Sequence, residues 1–245
     1  FFGSKEKKRA LEKKIFESGE PYEISSVISE DGSVIKKLSI APNAAYGLPT
    51  DFDQDIIVVV FFHLSELNKK LGYCPRKIRI ALSDFPKIME ISKGGRLYKN
   101  IERSAERISS FEIYQDKFVT VKEKNGNLKI YEKTSLKLFH FNGIYKEEKE
   151  TRKGKRIKKY YLDLDTPDWV RNNIENFYTT EFDVKKYFML KRGRTKRLYR
   201  ILEFIRYEKT KFIPYEKLQK ELWIDAKEEF HIREALKRSF EPLVK

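Results

Sequence analysis

The sequence predicts an α+β fold of two tandem helix-turn-helix units, the first followed by a β-hairpin and the second lacking a visible one. Three observations carry this. Residues 84–90 and 96–109 read as a short and a longer helix joined by Ile91-Ser92-Lys93-Gly94-Gly95, the order and Gly-containing turn of a helix-turn-helix. Strand-like runs follow at 111–132, turning at Asn125-Gly126, and at 135–145 and 156–164, and Asn-Gly is a strong hairpin signal. Helix-turn-helix followed by hairpin is the winged-helix order. Helical patterns then recur at 184–190, 195–207, 215–223 and 226–240, but Glu241-Pro242-Leu243-Val244-Lys245 stops where a second wing would begin. That wing is expected beyond Lys245 or disordered. The expected organisation is a basic helix and hairpin arm over 1–45, a winged-helix domain over 46–179 and a second over 180–245.

Each element has its own justification. Residues 5–17 read as a short basic helix with Leu11 and Ile15 on one face, and 22–40 as two β-rich runs about Asp31-Gly32. Pro42, Asn43, Gly47 and Pro49 mark turns. The run Ile56 to Val60 has strand propensity, yet Ile56, Val60, Leu64, Leu67 and Leu71 repeat at helical spacing. Acidic residues at its start and Lys69, Lys70 and Gly72 at its end suit a helix dipole and C-cap. This helix is apolar nearly all round and is expected at the centre of the fold. Asp51, Asp53 and Asp55 also resemble part of a calcium loop, but the required glycine and terminal glutamate are missing, so capping is preferred. A β-rich stretch covers 77–81 and Ser83 is read as the cap of the short helix. Thr166-Pro167-Asp168-Trp169 opens a further helix to about residue 177, with Trp169 as a packing anchor.

Composition restricts the chemistry. The 245 residues carry a formal charge of +15 with pI near 9.6, and 40% are hydrophobic, so a folded surface presents the charge to a polyanionic partner. The longest apolar run, Ile56 to Phe62, is too short to span a bilayer. A single cysteine, Cys74, fits a reducing cytoplasm. With three scattered histidines (His63, His140, His231) it leaves no zinc cluster. His63 is read as buried and hydrogen-bonded, His140 as structural, and His231 as able to reach DNA. No phosphate-binding loop is present. Asp163, Asp165 and Asp168 are the best carboxylates for catalysis. Strand alternation places the first two on one exposed face, however, and Asp168 suits a helix start. The expectation is a non-enzyme without cofactor or metal.

The charge is uneven. Residues 146–159 hold eight basic and three acidic side chains, and 185–211 eleven basic and two acidic. The candidate DNA contacts are Arg96, Lys99, Asn100, Arg103 and Arg107 on the 96–109 helix, Arg152, Lys153, Lys155 and Arg156 at the hairpin tip, and Lys227, His231, Arg233, Lys237 and Arg238 on the last helix. Phe230, Ile232, Ala235 and Leu236 are that helix's apolar positions.

Tyr46-Gly47-Leu48-Pro49-Thr50 before an acidic helix start resembles the opening of the plasmid replication initiator protein A family. Residues 174–202 are similar to that family's centre, notably Phe182-Asp183, Tyr187-Phe188-Met189-Leu190 and Arg197-Leu198-Tyr199-Arg200. The resemblance spans roughly 34–245, and extends more distantly to the tandem winged-helix initiators of iteron plasmids. It implies a non-enzymatic initiator that binds repeated origin sequences in double-stranded DNA and helps recruit host replication proteins such as a helicase or its loader. It also implies that the C-terminal winged helix reads bases through residues 226–240. The N-terminal one would contact the backbone, using 96–109, and carry a homodimer interface. Lys191, Arg192, Arg194, Lys196, Arg197 and Arg200 would then face phosphates, and Tyr199 would pack in the second domain's core. The same fold also suits a transcriptional regulator or autorepressor without origin function, and the sequence does not separate the two.

Overall fold

A computed structural model of the chain describes residues 5–18, 20–28, 34–116, 120–130, 132–150, 156–177, 179, 183–206, 213–222, 224, 226 and 228–244. Helix α1 (Lys5–Ser18) and strands β1 (Tyr22–Ile28) and β2 (Val34–Ala41) lead to α2 (Asp51–Leu71). The Asp31-Gly32 turn lies outside the described residues. α2 buries Ile56, Val58, Val59, Val60 and Leu64; with neighbours on nearly every side, the β-branched run is helical despite its propensity. Its start is a capping box: the Asp53 N–H donates to Thr50 Oγ1 (3.3 Å) and the Thr50 N–H to the Asp53 carboxylate (2.5 Å). Its end is Gly72 at φ 76°, donating its N–H to the Asn68 carbonyl at 2.8 Å.

Strand β3 (Lys77–Ala81) buries Ile78 and Ile80 and leads to α3 (Asp84–Ile88) and α4 (Gly95–Ser110). Ser83 does not cap α3: it lies in the helical region and its side chain makes no cap bond. Buried Phe85 and Pro86 hold this short turn instead, and Glu90, at φ 53°, ends it before the expected boundary. α4 turns Ile101, Ser104, Ala105 and Ile108 inward.

The β region departs from the expected hairpin over 111–132. The turn at Asn125-Gly126 is present, with Gly126 at φ 88°, but joins only β5 (Thr120–Lys122) to β6 (Leu128–Ile130). β4 (Glu112–Asp116) instead pairs between β2 and β7 (Lys133–Leu136), giving a sheet of order β1-β2-β4-β7. There Ile113 lies between Ile40 and Leu136, whereas β6 is exposed throughout. Apolar cross-strand burial therefore outweighs a longer but solvated ladder. The expected N-terminal arm thus shares a sheet with the segment that follows α4.

β8 (His140–Glu150) and β9 (Arg156–Asp165) form the second hairpin, extended to three strands by β3 in the order β3-β9-β8. β9 buries Leu162 and Leu164. As alternation requires, Asp163 and Asp165 lie on the other face, near Arg79 (3.4 Å) and Asn142 (3.1 Å). α5 (Asp168–Glu175) starts after Pro167; Thr166 is buried with its hydroxyl unpartnered and does not cap. Trp169 anchors as expected, donating Nε1–H to the Lys137 carbonyl at 3.0 Å.

The remaining helices are α6 (Val184–Met189), α7 (Gly193–Ile205), α8 (Tyr215–Glu221) and α9 (Glu229–Val244). α9 starts later than expected and continues through Pro242, so the residues read as the stop before a wing are its last turn, held where Leu243 packs. Two apolar cores result. The larger joins α2, β3, α4, β9 and α5 to Tyr187, Phe188 and Tyr199; the smaller contains Leu198, Leu222, Ile224, Ile232 and Leu236. Consecutive residues of α7 thus serve different cores. Tyr199, expected in the smaller, lies in the larger, its hydroxyl accepting from the Asp183 N–H at 3.2 Å.

Cys74 is fully buried, and burial pushes its thiol up to about 11, assisted by the Glu175 carboxylate. At pH 8 its thiolate fraction is lower than an ordinary cysteine's by roughly two orders of magnitude. Alkylation at pH 8 is therefore expected to wait on unfolding and to accelerate sharply in urea. Equal rates in folded and unfolded protein would contradict this burial.

Candidate nucleic-acid interface

The cations that the sequence grouped as DNA-facing separate into two populations. On α4, Arg96, Lys99, Asn100 and Arg103 are exposed. Arg107, on the same helix, turns inward. Its Nη1 donates to both oxygens of Asp53 (2.8 and 2.7 Å), and its Nε donates to the Tyr46 carbonyl at 2.8 Å. Asp53 is wholly enclosed and also accepts from Ser104 Oγ at 2.6 Å. Arg107 therefore closes the core at the start of α2.

α7 divides the same way. Lys191, Arg192 and Arg194 stand exposed around its first turn. Lys196, Arg197 and Arg200 were expected to face phosphates, but the structure places them against α2. Lys196 Nζ lies 2.8 Å from Asp55 and sits over the rings of Tyr187 and Phe188 at 4.9 and 5.0 Å. Burial raises the Asp55 carboxyl above its ordinary range, while Lys196 and the Tyr187 hydroxyl pull it back. Arg197 approaches Asp51 at 3.9 Å and donates to the Glu221 carbonyl at 3.4 Å. Burial brings its guanidinium down to about 10, so it stays charged at neutral pH. The acids read as helix-start residues are thus the counter-charges of α4 and α7, a pairing made across more than fifty positions of sequence that no local pattern reveals.

The β8–β9 ribbon is also less cationic than its composition suggests. Lys146 and Lys158 pair with Glu148, Lys149 with Glu147, and the Tyr161 hydroxyl donates to Glu147 at 3.0 Å. Arg156 is exposed. Arg152, Lys153 and Lys155 lie outside the described residues.

α9 presents the clearest open surface. His231, Arg233, Lys237 and Arg238 are exposed, while Ile232, Leu236 and Ser239 are buried. Arg233 reaches Glu229 at 2.5 Å, His231 reaches Glu228 at 3.3 Å, and Arg238 reaches Glu234 at 3.9 Å. Exposed pairs of this kind are weak enough to be exchanged for an incoming phosphate or base. Lys227 lies outside the described residues. Phe230, expected to face inward, is 68% exposed; with Arg233 and Lys237 it falls at i, i+3 and i+7, one stripe of the helix. Farther round the helix, Ala235, Arg238 and Ser239 border a polar notch of about 490 Å³ that also takes in Arg192, Arg194 and Glu241. Three arginines from two helices thus converge where the sequence had assigned Arg192 and Arg194 to one role and Arg238 to another.

His63 is half-buried with Nε2 enclosed and unpartnered, and burial lowers its ordinary pKa; His140 is exposed. Among the described residues no group of three or more His, Cys, Asp or Glu side chains could hold a metal ion, and no helix is long and apolar enough to cross a membrane.

Comparison with known proteins places this geometry. No curated protein matches the chain in sequence. Among the solved structures with a similar fold are two of RctB. One is a crystal structure of selenomethionine derivatives of domains 2 and 3 of RctB, at 14% identity and a TM-score of 0.56 over 89% of this chain and 77% of that one. The other is a crystal structure of RctB domains 2–3, at 13% identity and a TM-score of 0.55 over 91% and 78%. The profile of replication initiator protein A matches residues 24–211, well over half of the sequence. The chain belongs to the replication initiator protein A family.

Proposed function

We propose that the protein is a sequence-specific double-stranded-DNA-binding replication initiator, acting without enzymatic chemistry at origin repeats in the cytoplasm and recruiting host replication proteins. The observation that carries this reading is the exposed surface of α9, with Phe230, Arg233 and Lys237 in one stripe and a notch of three arginines farther round the helix. A helix combining an apolar ring with cationic donors can read base edges in a major groove while neighbouring cations hold the backbone. We further read residues 46–179 and 180–245 as two winged-helix domains. In support, α2-β3-α3-α4-β8-β9 with a sheet of order β3-β9-β8 follows a winged-helix path, with β4 to β7 inserted before the wing. The second domain repeats the helices in α7, α8 and α9, with no hairpin among the described residues. α4, with Arg96, Lys99 and Arg103 outward, is assigned the supporting backbone contacts, and the first domain a homodimer interface.

Fluorescence anisotropy tests the binding claim, using duplexes that carry the repeats of its origin against scrambled duplexes at fixed salt. Specific binding predicts a preference of at least about a thousandfold. Equal affinities refute sequence reading. Replication of a minimal origin in cells, driven by the native chain, separates an initiator from a transcriptional regulator on the same fold.

A further inference from the structure

We propose that the groove bounded by α2, α3, α5 and α6 docks a segment of a partner protein carrying one acidic side chain among apolar ones. The groove has a volume of about 660 Å³, which is within the range of ligand-binding clefts. Ile57, Phe61 and Phe62 of α2, Ile174 of α5 and Val184 of α6 give it apolar walls. Apart from Arg200, none of the residues read from the sequence as DNA contacts lines it.

Its polar feature is Arg200 of α7, which lines the groove and was expected to face phosphate. Its Nε is enclosed without a hydrogen-bond partner among the described residues. Burial lowers the guanidinium from its ordinary range. The nearby carboxylates are engaged: Asp55 by Lys196 and Tyr187, and Asp51 by Arg197. At the rim, Glu66 is matched by Lys69 at 3.3 Å and Asp183 caps α6 by accepting from the Lys186 N–H at 3.0 Å. An enclosed guanidinium N–H without an acceptor is costly to leave unpaired. A carboxylate supplies the planar, two-pronged acceptor that fits it; at the rim, exposed Lys185 is offset by exposed Glu90, so the selectivity for an acid rests on Arg200.

Phe177 adds a second sign of an absent occupant. It stands 77% exposed on the groove's border, with its backbone at φ 53°, a left-handed conformation unfavourable for a bulky residue. The strain holds an aromatic ring out in water beside an apolar trough. An amphipathic helix would cover the ring, fill the trough through residues at i, i+3, i+4 and i+7, and seat its acid on Arg200.

Panning a phage-displayed library of amphipathic peptides against the full chain, then titrating fluorescein-labelled winners, tests this. Winners are expected to carry Asp or Glu between apolar residues, and to bind at least about tenfold more weakly when that acid becomes its amide. With Arg200→Met the acid and amide peptides are expected to bind alike. Ser65→Trp, which fills the groove from α2 and leaves Arg200 in place, is expected to abolish binding of both. Winners that bind Ser65→Trp as well as the native chain, or that keep their preference for acid on Arg200→Met, overturn the proposal. So does a library that yields no saturable binder.

Discussion

Arg107→Ala is expected to lower the free energy of unfolding by about 3–5 kcal/mol, the cost of removing one partner from a buried ion pair. Asp53 has no exposed surface and takes both Arg107 contacts below 3 Å. Without the guanidinium its carboxylate would be left with hydroxyl and backbone donors in the core, and the fold would lose a strut between α2 and α4. Urea denaturation measures the loss, with Arg103→Ala as the control. Arg103 sits one turn earlier on the exposed side of α4, and its removal is expected to change stability by no more than about 0.5 kcal/mol. Arg107→Met is expected to behave like Arg107→Ala, because the charge and not the stem supports Asp53. A loss under about 1 kcal/mol would show that Asp53 tolerates isolation. The duplex-binding consequences run the other way: Arg103→Ala is expected to weaken binding, and Arg107→Ala to act only through stability.

The second large effect concerns α9. Arg233→Ala is expected to reduce affinity for the recognised duplex by about 1–3 kcal/mol and to relax base preference. Arg238→Ala, which sequence alone groups with it, is expected to weaken all duplexes alike and to reduce the salt slope by about one unit. The difference follows from the helix: Arg233 shares a stripe with Phe230 and Lys237, whereas Arg238 borders the notch with Arg192 and Arg194. If Arg192 and Arg238 grip a single phosphate, the double variant loses about one unit of slope and not two. Anisotropy titrations across a salt series measure both quantities. Additive slopes, or a relaxed base preference in Arg238→Ala, would break the assignment.

Much of the fold is legible in local pattern. Helical spacing identifies α2 against its strand propensity, and the acid-rich start and Gly72 define its ends. Alternation places Asp163 and Asp165 on the outer face of β9, and Asn125-Gly126 marks a real turn. What escaped is non-local. The partner of β4 was decided by which strands could share an apolar face with Ile113, not by the nearest hairpin. The exposed and enclosed cations of α4 and α7 have the same residue types and the same helical neighbourhoods. Only the placement of Asp51, Asp53 and Asp55 within the fold decides that Arg107, Lys196 and Arg197 are structural and that Arg96, Arg103 and Arg192 stay open. For Phe230 composition misleads: it counts as apolar, but it falls nearly opposite buried Ile232 on the helix.

The division of α7 between two cores limits where variation can accumulate. Leu198 and Tyr199 face different interiors, and Lys196 and Arg197 fill the angle between them, so most of that helix's circumference is committed. α9, by contrast, keeps a whole outer stripe that supports neither core. Changes in what the protein grips can therefore arise on α9 one residue at a time, whereas a comparable change on α7 must be accompanied by a matching one on α2.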